Sequence, residues 1–242
     1  MNILTLHKIV KTAPEEWADI NLVFFNQILK FIHQKNLEMT TINNWKINKS
    51  GDIALTFDDG FSSDFEIVFP LLQRMNTAAT FFIVPDFVDK NGYMSWQNIK
   101  QLSDSGMEIA SHSKTHQHLN TLSNKKLFLE FKNSKMIIEQ MIGQEVHSFA
   151  YPYGSCSKDT HKLAFQAGYK NVCNSKPGLC SLNTNILSRN SMHSNLKFSD
   201  LNRLIFPNEF DLALQKLSYF TRNGLKQTLG IKNYIKLREL IF

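Results

Sequence analysis

Two apolar runs constrain this chain more than any other feature. Ile53-Ala54-Leu55-Thr56-Phe57 and Ala79-Thr80-Phe81-Phe82-Ile83-Val84 carry no charge along their length, so both read as strands buried on each face. The first stops at Asp58-Asp59-Gly60 and the second at Pro85. Met107-Glu108-Ile109-Ala110-Ser111 and Ser148-Phe149-Ala150-Tyr151 are shorter strand candidates. Helical patterns fall between the runs. Residues 15–35 carry Trp17, Ile20, Val23, Phe24, Ile28, Phe31 and Ile32 at near-helical spacing. A second pattern covers 64–75. Ser95 is placed to cap a helix from Trp96 to Ser105, which Gly106 ends. Ser123 opens a long helix that Gly143 closes, and another runs from Lys158 to Ala167 before Gly168. Further on, Phe198, Leu201, Leu204, Ile205 and Phe206 suggest one more helix with an apolar face. Strand–helix alternation of this kind predicts an α/β fold with a mainly parallel sheet. Length and unit number suit a single-domain strand–helix barrel over residues 1–242. Functional residues then belong at the carboxyl ends of strands.

Four places meet that condition. Thr56-Phe57-Asp58-Asp59-Gly60 sets two carboxylates side by side after an apolar strand. Buried together they repel and lose solvation, which a cation relieves, although Asp-Gly is equally common turn chemistry. Ser111-His112-Ser113-Lys114-Thr115-His116 spaces two imidazoles at i and i+4, where a helical turn would bring them to one side. Imidazole suits zinc and similar ions, but His118 shows that this loop is simply rich in histidine. Tyr151-Pro152-Tyr153-Gly154 makes a rigid aromatic corner that either turns the chain or exposes a backbone N–H to an oxyanion. His7 ends the first apolar segment, where a lone histidine is more often structural.

In their order these segments are more specific than apart. Thr-Phe-Asp-Asp-Gly, then Ser-His-Ser-x-Thr-His, then Tyr-Pro-Tyr-Gly resembles the polysaccharide deacetylase (NodB-homology) family. Thr80-Phe81-Phe82, Met94-Ser95-Trp96 and Gly106 to His112 extend the resemblance, which covers roughly Asn2 to Tyr169. It implies a distorted barrel of about seven or eight parallel strands. It also implies Asp59, His112 and His116 as metal ligands, Asp58 as general base, and the Tyr153 N–H as oxyanion support, with Pro152 and Tyr151 beside it. One carboxylate and two imidazoles fit Zn2+ best, with Co2+, Ni2+ or Fe2+ as alternatives. The activity implied is hydrolytic removal of N-acetyl groups from amino sugars of a glycan or glycolipid. A catalytically silent carbohydrate-binding module, or a deacylase acting on other acyl groups, is the alternative.

Two departures stand out. A subgroup places its catalytic histidine at the end of an N-terminal strand, after Tyr. Here Leu6 precedes His7, and His193 in Ser188-Arg189-Asn190-Ser191-Met192-His193 is the competing general acid. Many members also carry an arginine that orients the catalytic aspartate just before Pro-Tyr-Gly. This chain has Ala150 in that stretch, so the group that orients Asp58 is left open.

Composition adds bounds. No run of about 18 apolar residues occurs, so no membrane-spanning helix is expected. If Met1 is the true start, the absence of a secretory signal predicts a cytoplasmic location. Cys156, Cys173 and Cys180 form no CxxC pair and no disulfide framework is expected. The net charge is +6. From Tyr219 onward Arg222, Lys226, Lys232, Lys236 and Arg238 face one acid, Glu239, with Ile231, Tyr234, Ile235, Leu237, Leu240 and Ile241 interleaved. Segment 219–242 therefore reads either as a helix packed on the domain or as a peripheral contact with an anionic membrane at its inner face. No recognition motif accompanies the charge, and nucleic acid is not an expected partner. An N-acetylated glycan or lipid-linked sugar is.

Overall fold

The computed structural model describes residues 1–154, 156–221 and 224. Its centre is one sheet of eight strands, every neighbouring pair parallel. In chain order the main elements are β1 (Asn2–Leu6), β2 (Ile9–Val10), β3 (Ile20–Asn21), α1 (Leu22–Gln34), α2 (Ile42–Asn48), β4 (Ile53–Asp59), α3 (Phe69–Arg74), β5 (Thr80–Ile83), α4 (Trp96–Asp104), β6 (Glu108–Ser111), α5 (Asn124–Ile142), β7 (Ser148–Ala150), α6 (Lys158–Gln166), β8 (Asn171–Cys173), β9 (Ile186–Leu187), β10 (Asn190–Ser191) and α7 (Leu201–Ile205). The strands lie in the order β10-β1-β4-β5-β6-β7-β8-β9, and β2 pairs with β3 in a separate ribbon.

The two edge strands are almost continuous in sequence. Only Ser188 and Arg189 separate β9 from β10, yet they sit at opposite ends of the strand order. Three Cα–Cα steps of about 3.8 Å span at most about 11 Å. The sheet must therefore curl until its edges nearly meet, which makes the distorted (β/α) barrel that the strand–helix alternation predicts.

Alternation along the strands divides the core in two. Leu4, Leu6, Leu55, Phe57, Phe81, Ile83, Ile109, Phe149 and Val172 face outward into the layer between sheet and helices. Ile3, Ala54, Phe82, Ala110, Ala150, Cys173 and Leu187 face inward, joined by Ile42 and Trp45 of α2. α2 closes the amino end of the barrel. Its first backbone N–H groups reach Thr80 Oγ1 at 3.1 Å and Glu108 Oε2 at 2.9 Å, at the starts of β5 and β6.

Local signals explain most element ends. Ser95 and Asn98 form a reciprocal capping box at α4, and Gly143 ends α5 at φ 73°. Two expectations shift. The predicted helix over 15–35 begins only at Leu22, because Asn21 caps it and Asp19 instead accepts the N–H groups of Glu15 and Glu16. The helix over 64–75 opens as a π-helical turn, Asp64–Val68, before α3. Cys156, Cys173 and Cys180 are all free thiols. Among the described residues no helix is long and apolar enough to cross a membrane. The basic residues of segment 219–242 lie outside the described residues.

Candidate metal and catalytic centre

The carboxyl ends of the strands form the mouth of the barrel. Ala54 faces inward, so alternation also turns Thr56 and Asp58 inward. Asp59 would then point outward. It does not, because Asp59 and Gly60 both take φ 78°, which ends the pleat and lets the second carboxylate swing into the mouth. A Cβ at Gly60 would also come within 3.2 Å of Ile83 Cδ1.

The two histidines converge by a route the spacing did not predict. Residues 113–116 are not helical. Ser113 and His116 take φ 65° and 59°, and Ser113 Oγ accepts the His116 N–H at 3.0 Å. Glu130 of α5 holds this loop, accepting the N–H groups of Lys114 and Thr115 and the Thr115 hydroxyl, each at 3.0 Å. Lys114 Nζ pairs with Asp86 at 2.7 Å.

Asp59, His112 and His116 thereby come together with one ligand atom each, all within 4.8 Å of one another. Asp59 Oδ1 lies 3.1 Å from His116 Nε2 and 3.6 Å from His112 Nε2. The hydrogen bonding tests whether a cation fits. His112 Nδ1 is 2.8 Å from the Ala150 carbonyl, which can only accept, so Nδ1 carries the proton. Burial lowers the His112 pKa to about 4, so its Nε2 is an unprotonated lone pair at neutral pH. That lone pair faces Asp59 Oδ1, a buried oxygen that makes no hydrogen bond. Asp58 Oδ2 is 3.7 Å from the same nitrogen. Acceptors gathered in this way repel unless a cation lies between them, so the donor set fits a divalent ion.

Asp58 is 2% exposed, and a cation of the protein does face it. Arg189, in the two-residue link between β9 and β10, sends a fully buried guanidinium into the barrel. Its Nη1 and Nη2 donate to Asp58 Oδ1 and Oδ2 at 2.7 and 2.8 Å. Its Nε donates to the Asn174 carbonyl, and its Cζ lies 5.2 Å from the centre of the Phe82 ring. Burial alone would raise the Asp58 pKa. The charge and hydrogen bonds of Arg189, with smaller help from His112 and His7, reverse this and hold the carboxyl well below the usual range. Ala150 is therefore not a lost function. The orienting arginine comes from the far edge of the sheet.

His7 and His193 follow adjacent strands. Pairing of Leu6 with Phe57, continued by one residue, sets His7 abreast of Asp58. Pairing of Thr5 with Ser191, continued by two, sets His193 abreast of His7. His7 Nδ1 is buried without a hydrogen bond, and His193 stacks on Trp17 at 4.8 Å. Tyr153 has φ 58° and is 57% exposed, its ring 4.8 Å from His116 and 3.9 Å from His118. Pro152 is buried. Gly154 is required there, since a Cβ would meet Ser175 at 2.6 Å. Tyr151 is placed in the core, its hydroxyl 2.9 Å from His161 Nδ1. Arg189 and Glu130 were not singled out from sequence. The only signal for Arg189 was a lone arginine inside the short segment Ile186 to Met192.

A parallel barrel with a carboxylate and two imidazoles at its mouth presents a donor set that could hold a metal ion. Comparison with known proteins makes the assignment specific. Residues 46–172, more than half of the chain, match the polysaccharide deacetylase family model. The chain belongs to the polysaccharide deacetylase family. It is 32% identical over 141 residues to a peptidoglycan-N-acetylglucosamine deacetylase of Bacillus cereus, covering 57% of this chain and 64% of that protein. It is 24% identical over 164 residues to YxkH of Bacillus subtilis, covering 65% of this chain and 59% of that protein. The chain thus spans about three fifths of these relatives. The structure of the Streptococcus pyogenes deacetylase PplD shares the fold, with TM-score 0.75 at 21% identity over 86% of this chain and 98% of that one. The Bacillus cereus polysaccharide deacetylase BC0361 matches with TM-score 0.75 at 25% identity, over 84% of this chain and 68% of that one.

Proposed function

We propose that this protein is a metal-dependent hydrolase that removes N-acetyl groups from amino sugars of a glycan or glycolipid precursor. The observation that carries the reading is the junction of two groups in one mouth: Asp59, His112 and His116 beside a carboxylate held by Arg189. A divalent ion on the three ligands, zinc best with cobalt, nickel or iron as alternatives, would polarise the acetyl carbonyl and acidify water to a pKa of about 7.

Asp58 takes the proton of the attacking water as its oxygen adds to the acetyl carbon. Arg189 holds this carboxyl below the usual range, so it is ionised and able to accept that proton. The Tyr153 N–H supports the oxyanion. His7, abreast of Asp58, donates a proton to the sugar nitrogen as the C–N bond breaks, leaving acetate and a free amine. His193 is the second candidate for this donor. The amino-sugar substrate is supported by the peptidoglycan-N-acetylglucosamine deacetylase among the relatives. The alternative of a silent binding module drew its support from the missing arginine, and Arg189 removes that support.

Acetate release from a panel of N-acetylated sugars, free, nucleotide-linked and lipid-linked, tests the reading. Release by the metal-replete protein that a chelator stops is the expected result. No release from any member with metal bound would sink it. For the carrier, we infer a lipid-linked sugar reached at an anionic membrane face through basic segment 219–242. Unchanged vesicle association and activity after deletion of 226–242 would overturn that part.

A further inference from the structure

The helix at the end of the described chain is built inside out. Residues 209–221 are helical. At about 100° per residue, Phe210, Leu214, Leu217 and Phe220 share one stripe about 120° wide. That stripe is the exposed one: Phe210 is 70% exposed, Leu214 47%, Leu217 64% and Phe220 60%. Just before the helix, Phe206 is 45% exposed. The opposite side is the less exposed one, and it is mixed: Asp211 is buried, and Leu212, Gln215 and Tyr219 are half-buried. An ordinary surface helix does the reverse. Asp211 is held there by a local cap, its N–H donating to Asn208 Oδ1 at 2.8 Å.

Charge says what would cover the stripe. From Glu209 to the end six Lys and Arg face three acids, Glu209, Asp211 and Glu239, so this last stretch carries three of the six net positive charges of the chain, with five of its six cations at or beyond residue 222. The other three are spread over residues 1–208. An isologous pairing of two copies through the stripe would bring two such cationic segments together. An anionic lipid surface instead attracts them while the Phe and Leu side chains enter the headgroup boundary.

We propose that residues 209–221 form an interfacial helix that docks this protein on an anionic lipid surface. This deepens the peripheral-contact reading above, and its readout does not depend on deacetylation. The entry to the helix is fixed at the closed end of the barrel, where the Asn2 side chain donates to the carbonyls of Leu204 at 2.7 Å and Ile205 at 3.1 Å.

The test is co-sedimentation of the full chain with vesicles of phosphatidylcholine alone or with about one third phosphatidylglycerol, beside Leu214→Ser/Leu217→Ser and a chain ending at residue 221. Both substituted positions face solvent, and a thermal melt matched to the parent confirms folding. Binding to the anionic vesicles, weakened at least tenfold in the double variant and weaker on neutral lipid, is expected. The chain ending at 221 should keep apolar-dependent binding at reduced strength. Parent-like binding by the double variant, with loss only in the truncated chain, would assign the contact to the basic residues and overturn the helix proposal. No vesicle binding, with a parent dimer that the double variant converts to monomer, would assign the stripe to a second copy and overturn it too.

Discussion

The two ends of the barrel bury carboxyl groups in opposite ways. At the mouth, Asp58 sits in the bidentate grip of Arg189 and is held ionised. At the closed end, Glu108 is half-buried and meets only neutral donors: Ser148 Oγ at 2.6 Å, Thr80 Oγ1 at 2.8 Å and the Asn43 N–H at 2.9 Å. Burial outweighs those bonds and pushes the Glu108 pKa up. Asp64, six residues after Asp58, shows the same contrast more sharply. It is fully buried, neither oxygen has a hydrogen bond, and burial with the nearby Asp59 and Asp58 charges raises it well above the usual range. Burial thus raises a carboxyl's pKa here, and a buried guanidinium is what lowers it.

The largest effect expected from breaking this contrast is at Asp58. Asp58→Asn should lower acetate release by at least the ~10²–10⁴-fold typical of general acid–base groups while metal still binds. His112→Ala should lose both, which metal analysis of the purified variants checks. Arg189→Met comes next. It leaves an uncompensated buried carboxylate, worth about 3–5 kcal/mol when a buried pair is broken from one side. A large fall in melting temperature is expected, and adding Asp58→Asn should recover part of it. If Arg189→Met melts like the parent, the pair is not holding Asp58.

Glu130→Ala tests the mouth at one remove. It frees the loop that carries His116, and metal affinity should fall by about tenfold, as for other outer-shell supports. Parent-like affinity in a competition titration would show that the loop holds itself. The smallest effect belongs to the closed end. Because the folded pKa of Glu108 lies above its unfolded value, the folded chain keeps a proton that the unfolded chain has already lost. Stability should therefore fall as pH rises from about 4.3 through that raised pKa. Glu108→Gln should flatten this slope and leave acetate release near parent level. An unchanged slope would mean that the proton is held elsewhere.

Sequence made one half of the mouth legible. Asp58 and Asp59 close β4, His112 follows β6, and His116 and Tyr153 lie in the loops just after β6 and β7, so local order was enough to set them at one end of a parallel barrel. Glu130 stayed hidden because it acts from the middle of a helix, where an acid looks like any solvated residue. The left-handed conformations at Asp59, Ser113 and His116 were hidden as well, since none of these is glycine.

What the amino-acid order determined by itself is the alternation of strands and helices and the catalytic-type residues at strand ends, because both are set by spacing along the chain. What only the tertiary structure decided is the meeting of Arg189 with Asp58, 131 residues apart. That contact exists because β9 and β10, separated by two residues, must reach opposite edges of one sheet, and a sheet that curls to allow it brings the residue between them into its own interior.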